Sequence, residues 1–235
     1  MSATTKPRTI VVCLPTNGGS DWSTAAAAVS GRTSGPTAPS LARFPVRHRK
    51  LIGWVTRFTT RHLLGAERHF GVVTHAAGGR RSRLHLQRAQ HAAWYQASAR
   101  WAIWKQITNG LRQASGWEHF ERRHLADPTK YPLDQARKQF LAQPMISAML
   151  AYNANPANRW TLDPYEVDAY LAGSQAYATR HMLSAVCGDA MFTTDGQWLE
   201  PGSDSFADVC AYLKAAADHI HRLNRHAMVL AMTSH

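Results

Sequence analysis

The chain has 235 residues, 45% of them hydrophobic and eight of them Trp, which is enough to bury a substantial core. Its formal net charge is +12, from 27 Lys and Arg against 15 Asp and Glu. This composition excludes wholesale disorder, and no run approaches the roughly 18 consecutive apolar residues that a membrane-spanning helix needs.

Residues 1–50 have the composition of a basic linker. They are rich in Ser, Thr, Ala, Gly and Pro, and Asp21 is their single acidic residue. The apolar run Thr9–Leu14 predicts one short strand, which the Pro-Thr-Asn-Gly-Gly sequence at 15–19 ends. Because such a segment cannot form its own core, we expect an extended N-terminal arm over residues 1–50 and a helical domain over residues 51–235.

The same N-terminal segment has features of an organellar import signal. Up to Ala66 the chain holds nine basic residues and one acidic residue. Transit peptides are similarly rich in Arg and poor in acids, although the first dozen residues here carry little charge. The sequence therefore predicts a mitochondrial protein, and the alternative is a retained basic tail on a cytoplasmic protein.

A basic segment with interspersed aromatic residues follows the arm. Apolar residues from Leu51 to His62 recur at helical spacing, which predicts an amphipathic helix over 51–70. The run Phe70–Thr74 predicts a short strand, and residues 77–81 (Ala-Gly-Gly-Arg-Arg) predict a basic turn.

The rest of the chain is predicted to be helical. Pro144 should break one helix, and Asp163 should cap the start of another. The expected fold is mainly α, a helical bundle of about four to six helices with the extended basic N-terminal arm. The helical patterns cover 84–111, 117–125, 132–153, 163–187 and a last helix from Ser203 or Ser205 to about Leu230.

The sequence lacks the common catalytic and nucleotide-binding motifs HExxH, GxSxG, GxxxxGK[ST] and GxGxxG. His219 and His226 are seven residues apart on a predicted helix, about 10 Å along its axis, which is too far to bind one metal ion together. Cys13, Cys187 and Cys210 are too widely spaced for a zinc site or a disulfide framework. We therefore predict no catalytic residue, no metal site and no cofactor.

The positive signal is a run of basic residues within 43–83. Arg is much more frequent than Lys in this run, which suits bidentate contacts with phosphate or carboxylate groups. The expected contacts are RNA or DNA, anionic lipid, or an acidic partner subunit, and no zinc finger, RRM or KH signature narrows the choice. The predicted contact residues are Arg43, Arg47, Arg49, Lys50, Arg57, Arg61, Arg80, Arg81 and Arg83.

The charge is unevenly distributed along the chain. Residues 1–126 hold 19 Lys and Arg and 4 Asp and Glu, a net charge of +15. Residues 127–235 hold 8 Lys and Arg and 11 Asp and Glu, a net charge of −3. Such a field attracts polyanions to the first half of the chain.

Three functional hypotheses follow. The first is a non-catalytic accessory or structural subunit of a large mitochondrial assembly, such as an energy-converting complex or a ribosome, whose basic arm contacts protein partners. The second is a free-standing nucleic-acid-binding protein of a plasmid or phage type, with an affinity that falls steeply with salt. The third is an enzyme whose site carries no recognised motif, which we regard as the least favoured of the three.

Overall fold

A computed structural model describes residues 7–15, 21–33, 37–40, 43–47, 60 and 62–234. The chain divides into two compact units. We call Met1–Ala92, Met182–Ser203 and Asp208–His235 the sheet unit, and Ala93–His181 with Asp204–Ala207 the helical unit.

The sheet unit is built on an eight-stranded mixed sheet. Its main order is β3-β5-β8-β1-β6-β7, while β2 also pairs with β8 and β4 with β5. The β1–β6 pair is parallel and every other strand pair is antiparallel. The strands are β1 (Arg8–Leu14), β2 (Thr37–Pro39), β3 (Phe44–Pro45), β4 (Leu63–His69), β5 (Val72–Arg80), β6 (Ala190–Phe192), β7 (Trp198–Leu199) and β8 (Met228–Ser234).

The described segments also contain eight α-helices. Short 3₁₀ turns at Arg81–Arg83 and Pro164–Glu166 precede two of them. The helices are α1 (Trp22–Val29), α2 (Leu86–Ile107), α3 (Trp117–Ala126), α4 (Leu133–Leu141), α5 (Pro144–Asn153), α6 (Val167–Leu171), α7 (Ser174–Cys187) and α8 (Phe206–Arg222).

Strand β1 is the central strand of the sheet, with β8 on one side and β6 on the other. Its run from Ile10 to Leu14 is buried on both faces. Ile10 and Val12 pack in one core cluster with α1, whereas Val11 and Cys13 pack in another with α8 and the end of α7. A strand that is covered on both faces is continuously apolar. The apolar run Thr9–Leu14 therefore predicted this strand correctly.

The expectation of a mainly α bundle with an extended arm was wrong. Of the described residues, 49% are helical and 21% are in strands, and they form an α/β fold. β1 lies inside the segment expected to be an arm, and it is held by antiparallel pairing along its whole length with β8, from Arg8–Ser234 to Leu14–Met228. This pairing joins residues more than 200 positions apart, so no local pattern indicates it.

Two of the local predictions failed at strands. The last helix ends at Arg222 rather than near Leu230, because residues 228–234 pair with β1 as β8. The helix expected over 51–70 is replaced by β4 at Leu63–His69, and residues 51–59 lie outside the described part of the chain.

The expected turn at residues 77–81 is instead the end of β5 and the start of a 3₁₀ turn. Two glycines allow other strands to approach β5 closely. A Cβ atom at Gly78 would lie 2.7 Å from the Val229 carbonyl oxygen, and one at Gly79 would lie 2.6 Å from that of His62. The Gly-Gly pair therefore permits close backbone approach rather than a turn.

The helical unit agrees better with the sequence patterns. Helices α2 and α3 lie where they were expected, Pro144 separates α4 from α5, and Asp163 caps the 3₁₀ turn before α6 by accepting a hydrogen bond from the Tyr165 N–H. The aromatic residues Phe140 and Tyr170 lie in a core cluster with Trp104 of α2. These elements depend on local periodicity and caps, which the sequence displays directly.

Candidate functional site

The structure describes five of the nine predicted contact residues, and all five belong to the sheet unit. Arg49, Lys50, Arg57 and Arg61 lie outside the described residues. Arg47 is exposed, whereas Arg43, Arg80, Arg81 and Arg83 are half-buried.

Arg43 is directed into the protein. Its Nε donates to the Ala185 carbonyl oxygen at 3.0 Å, and a second nitrogen donates to the carbonyl oxygen of Ser184. Both carbonyls lie in the last turn of α7, where a cation is favourable. Burial lowers the pKa of Arg43, and the nearby Asp189 partly opposes that shift. Arg43 therefore joins β3 to α7.

Arg81 has a similar structural role at the end of α8. Its Nη1 donates to the Leu223 carbonyl oxygen at 3.0 Å, and its Nη2 donates to that of His221 at 3.3 Å. Its backbone N–H donates to the Ala227 carbonyl oxygen at 2.8 Å, in the turn before β8. These bonds supply the C-terminal carbonyl groups of α8 with donors.

Arg80 lies at the end of β5, where its N–H donates to the His62 carbonyl oxygen at 3.0 Å. Arg47 and Arg83 meet where two chain segments lie side by side. The Arg47 N–H donates to the Arg83 carbonyl oxygen at 2.7 Å, and the His85 N–H donates to the Pro45 carbonyl oxygen at 2.7 Å. An antiparallel bridge between Val46 and Leu84 lies between these two bonds. This pairing brings Arg47 beside Arg83 and His85, which are about 40 positions later in the chain.

The first turns of α2 extend this basic region. The Arg88 N–H lies 3.3 Å from Nδ1 of His85, and His91 follows Arg88 by three residues on the same helix face. Burial lowers the pKa of His85, and the positive charges of Arg47 and Arg88 lower it further. We call Arg47, Arg83, His85, Arg88 and His91 the basic surface.

The electrostatics of the basic surface favour an anion. The first turn of α2 contains no acidic residue, so no carboxylate there neutralises the positive end of the helix dipole. Within the described ranges, neither Arg47 nor Arg88 takes part in an ion pair, and both are exposed. The surface therefore presents two exposed guanidinium groups beside a helix N-terminus, an arrangement whose positive potential suits a phosphate group.

A cleft of about 440 Å³ lies elsewhere in the sheet unit, at the carboxyl ends of the parallel strands β1 and β6. Small-molecule sites in α/β sheets commonly occupy this edge. The lining residues come from the ends of β1, β6 and α8, and are Pro15, Thr194, Asp195, His219, Arg222, Leu223, Asn224 and Ala227.

The ionisable groups of the cleft are a carboxylate, a guanidinium and an imidazole, from Asp195, Arg222 and His219. The Thr194 N–H lies 3.3 Å from Nε2 of His219, which must accept this hydrogen bond and so carries its proton on Nδ1. Burial lowers the pKa of His219, and Asp195 opposes that shift. Because Nε2 is occupied, His219 cannot serve as a general base through that nitrogen in this arrangement.

The helical unit contains an ionic cluster around Glu166. Arg180 Nη1 lies 2.7 Å from Glu166 Oε1, and His181 Nε2 lies 3.5 Å from Oε2. The Tyr177 hydroxyl donates to the same Oε2 at 3.4 Å. Burial alone would raise the pKa of Glu166, but His181 and Arg180 together lower it to about 2. This cluster stabilises the start of α6 against α7.

The thiols and potential metal ligands do not form a reactive group within the described ranges. No three His, Cys, Asp or Glu side chains there are placed to hold a metal ion. Burial raises the pKa of Cys13, and it raises that of Cys187 to about 12, so both thiols stay protonated near neutral pH.

The sequence patterns did not single out His85, Arg88 and His91 as a polyanion site. All three residues lie just outside the run of basic residues within 43–83. Their association depends on the Val46–Leu84 bridge, which is a tertiary contact. The high Arg content was the one local signal for this surface.

No helix within the described ranges is both long enough and apolar enough to cross a membrane. Comparisons with protein-family models, curated proteins and solved structures returned no match. The class of the protein is therefore defined by its fold and its sites, as an α/β protein with a strongly basic sheet unit.

Proposed function

We propose that this protein binds the sugar–phosphate backbone of nucleic acid through the basic surface. The observation that carries the proposal is the grouping of Arg47, His85 and Arg88 at the N-terminus of α2, in a helix whose first turn has no acidic residue. Arginine and helix N-termini both recognise phosphate oxygens, and several such contacts give affinity without sequence preference.

The distribution of charge between the two units supports the proposal. The sheet unit holds 17 of the 27 Lys and Arg and 7 of the 15 Asp and Glu, a net charge of +10. The helical unit holds the other 10 and 8, a net charge of +2. A polyanion is therefore attracted to the unit that carries the basic surface.

The position of β1 in the structure weakens one argument for the accessory-subunit hypothesis. The accessory-subunit hypothesis rested on the uneven charge, the absence of catalytic motifs and an arm over residues 1–50 that contacts partners. Because β1 is the central strand of the sheet, residues 10–14 are buried within the protein's own core. The position of β1 therefore removes the support for an arm that wraps around partners. The argument for nucleic acid depends on surface charge, which this finding does not change.

The test is the affinity of the full-length protein for a fluorescein-labelled single-stranded oligonucleotide of about 20 nucleotides, longer than the roughly 4–16 nucleotides that one single-strand-binding fold covers. The variant is Arg47→Gln with Arg88→Gln, measured by fluorescence anisotropy at low salt. We expect its Kd to rise by about tenfold, because two phosphate contacts are lost.

The matched control is Arg112→Gln with Arg137→Gln, which removes two exposed arginines from the helical unit. Its Kd should stay within about twofold of the wild-type value, apart from the small effect of net charge. Equal losses in the two double variants, or no binding by the wild-type protein, would contradict the proposal.

A further inference from the structure

Strands β4 and β5 form a hairpin with a two-residue turn. The last residue pair of the ladder is His69–Val72, so Phe70 and Gly71 alone form the turn. Their φ angles are 48° and 77°, both in the left-handed region. Two positive φ values are the mark of a type I′ turn, which matches the right-handed twist of the flanking strands.

Phenylalanine is poorly suited to the first position of this turn. Type I′ turns strongly prefer Asn, Asp or Gly there, because a Cβ atom and a bulky ring disfavour the left-handed conformation. Such strain in a native structure is a reason to look for a function at the residue.

The ring of Phe70 is also exposed to an unusual degree. Its relative exposure is 92%, the highest among the exposed large hydrophobic residues in the described ranges. Among the described residues its ring contacts that of the neighbouring His69 edge-on, with centroids 4.4 Å apart. An exposed ring buries little apolar area, so Phe70 contributes little to folding and is available for contact with a ligand.

We propose that Phe70 stacks on an unpaired base of the bound nucleic acid, so that the preferred ligand is single-stranded. This inference rests on the proposed function. Aromatic side chains stack on all four bases, and they combine with basic surfaces in proteins that bind single strands without sequence preference. In duplex nucleic acid the base faces are already stacked and would not be accessible to the Phe70 ring.

The hairpin connects the aromatic contact to the basic surface. β5 runs from Val72, next to the turn, to Arg80, which directly precedes the 3₁₀ turn Arg81–Arg83. Eight steps of about 3.4 Å place the two ends of β5 roughly 27 Å apart. Arg47 lies nearer the turn, because the N–H of the preceding Val46 donates to the Thr74 carbonyl oxygen at 3.0 Å. An oligonucleotide of about 20 nucleotides is long enough to contact both ends, since an extended chain rises at least about 3.4 Å per nucleotide.

A membrane surface fits the hairpin less well than a base does. Residues 67–71 are all exposed, and Phe70 is the only strongly apolar side chain among them. Membrane anchoring needs more buried apolar area than one ring supplies.

The test compares wild type with Phe70→Asn for two ligands, the single-stranded oligonucleotide and inorganic polyphosphate, which has the charge but no bases. Asn removes the ring and suits the left-handed conformation. We expect the Kd for the oligonucleotide to rise about tenfold, because a base stack is lost. The Kd for polyphosphate should not change, and the melting temperature should rise by roughly 2–4 °C as strain is removed.

Phe70→Leu is the control for apolar surface without a π face. It should bind the oligonucleotide as weakly as Phe70→Asn does. If wild type binds both ligands and Phe70→Asn binds the oligonucleotide equally well, the stacking inference is overturned and the proposed function stands. If wild type binds neither ligand, the proposed function fails. If wild type and Phe70→Leu bind phosphatidylserine–phosphatidylcholine vesicles but Phe70→Asn does not, then Phe70 contacts a membrane instead of a base.

Discussion

At the scale of single residues, the arginines of this chain have two distinct roles. Arg43 and Arg81 donate hydrogen bonds to the last carbonyl groups of α7 and α8. Arg47 and Arg88 are exposed and make no ion pair with any residue in the described ranges. A count of basic residues therefore overstates the number available to a ligand, because internal carbonyl groups take some of the donors.

Glu166 provides a test of the ionic cluster in the helical unit. Its folded-state pKa of about 2 lies below the usual 4.5, so the ionised form is stabilised by folding. This contribution is fully present above about pH 4.5 and is lost as the pH falls towards 2. Glu166→Gln should lower the free energy of unfolding at pH 7 by about 2–3 kcal/mol and flatten its decline in acid, as measured by denaturant titrations from pH 7 to 2.

Glu118→Gln is the matched control, because the Glu118–Arg122 pair is exposed at 54% and 74%. An exposed i, i+4 pair contributes less than about 0.5 kcal/mol, so this variant should unfold almost as wild type does. If the free energy of unfolding of Glu166→Gln declines in acid as that of wild type does, then the pKa of Glu166 is not lowered in the folded protein.

At the scale of elements, the sequence predicted helices better than strands. The helices α2 to α5 follow from apolar periodicity and from the break at Pro144, and the start of α6 follows from the cap at Asp163. All of these are local features. β8 was missed because apolar residues near its start continue the helical spacing of α8. Its pairing with β1, from the other end of the chain, decides its conformation, and no local signal reports that pairing.

The candidate site was predicted only in part, because it too depends on a tertiary contact. The Arg-rich composition identified the region around 43–83, but the site itself forms where the Val46–Leu84 bridge brings two segments together and α2 begins. The exposed turn at Phe70 was predicted as the start of a strand. Only the register of β4 against β5 shows that Phe70 occupies a hairpin turn.

The close approach of β5 and β8 can be tested at Gly78. A Cβ atom there would lie 2.7 Å from the Val229 carbonyl oxygen and 2.8 Å from the Leu230 Cα atom. Both atoms belong to the backbone and cannot move without separating the strands. Gly78→Ala should therefore lower the free energy of unfolding by roughly 1–3 kcal/mol or more, as measured by urea denaturation.

Gly31→Ala is the control, because nothing lies within 4 Å of a Cβ atom at that position. It should be neutral or slightly stabilising, since Ala reduces the entropy of the unfolded chain. Equal stability of Gly78→Ala and wild type would mean that β5 and β8 are not as closely paired as described.

At the scale of the whole molecule, most of the net positive charge lies on the sheet unit, although the division between the two halves of the sequence, +15 and −3, is sharper. The sheet unit carries +10 of the net charge of +12, including contributions from the C-terminal segment. Mitochondrial import stays a prediction. Cleavage of a leader beyond Leu14 would remove the central strand, so an import signal that is cleaved would have to end before β1.

The most direct test of the central claim is the salt dependence of oligonucleotide binding by the full-length protein. If about four cationic groups contact phosphates, log Kd should rise with log salt concentration with a slope of about 3, and Arg47→Gln with Arg88→Gln should reduce that slope by about 1.4. A slope near zero, or a slope that this double variant leaves unchanged, would contradict phosphate binding at the basic surface.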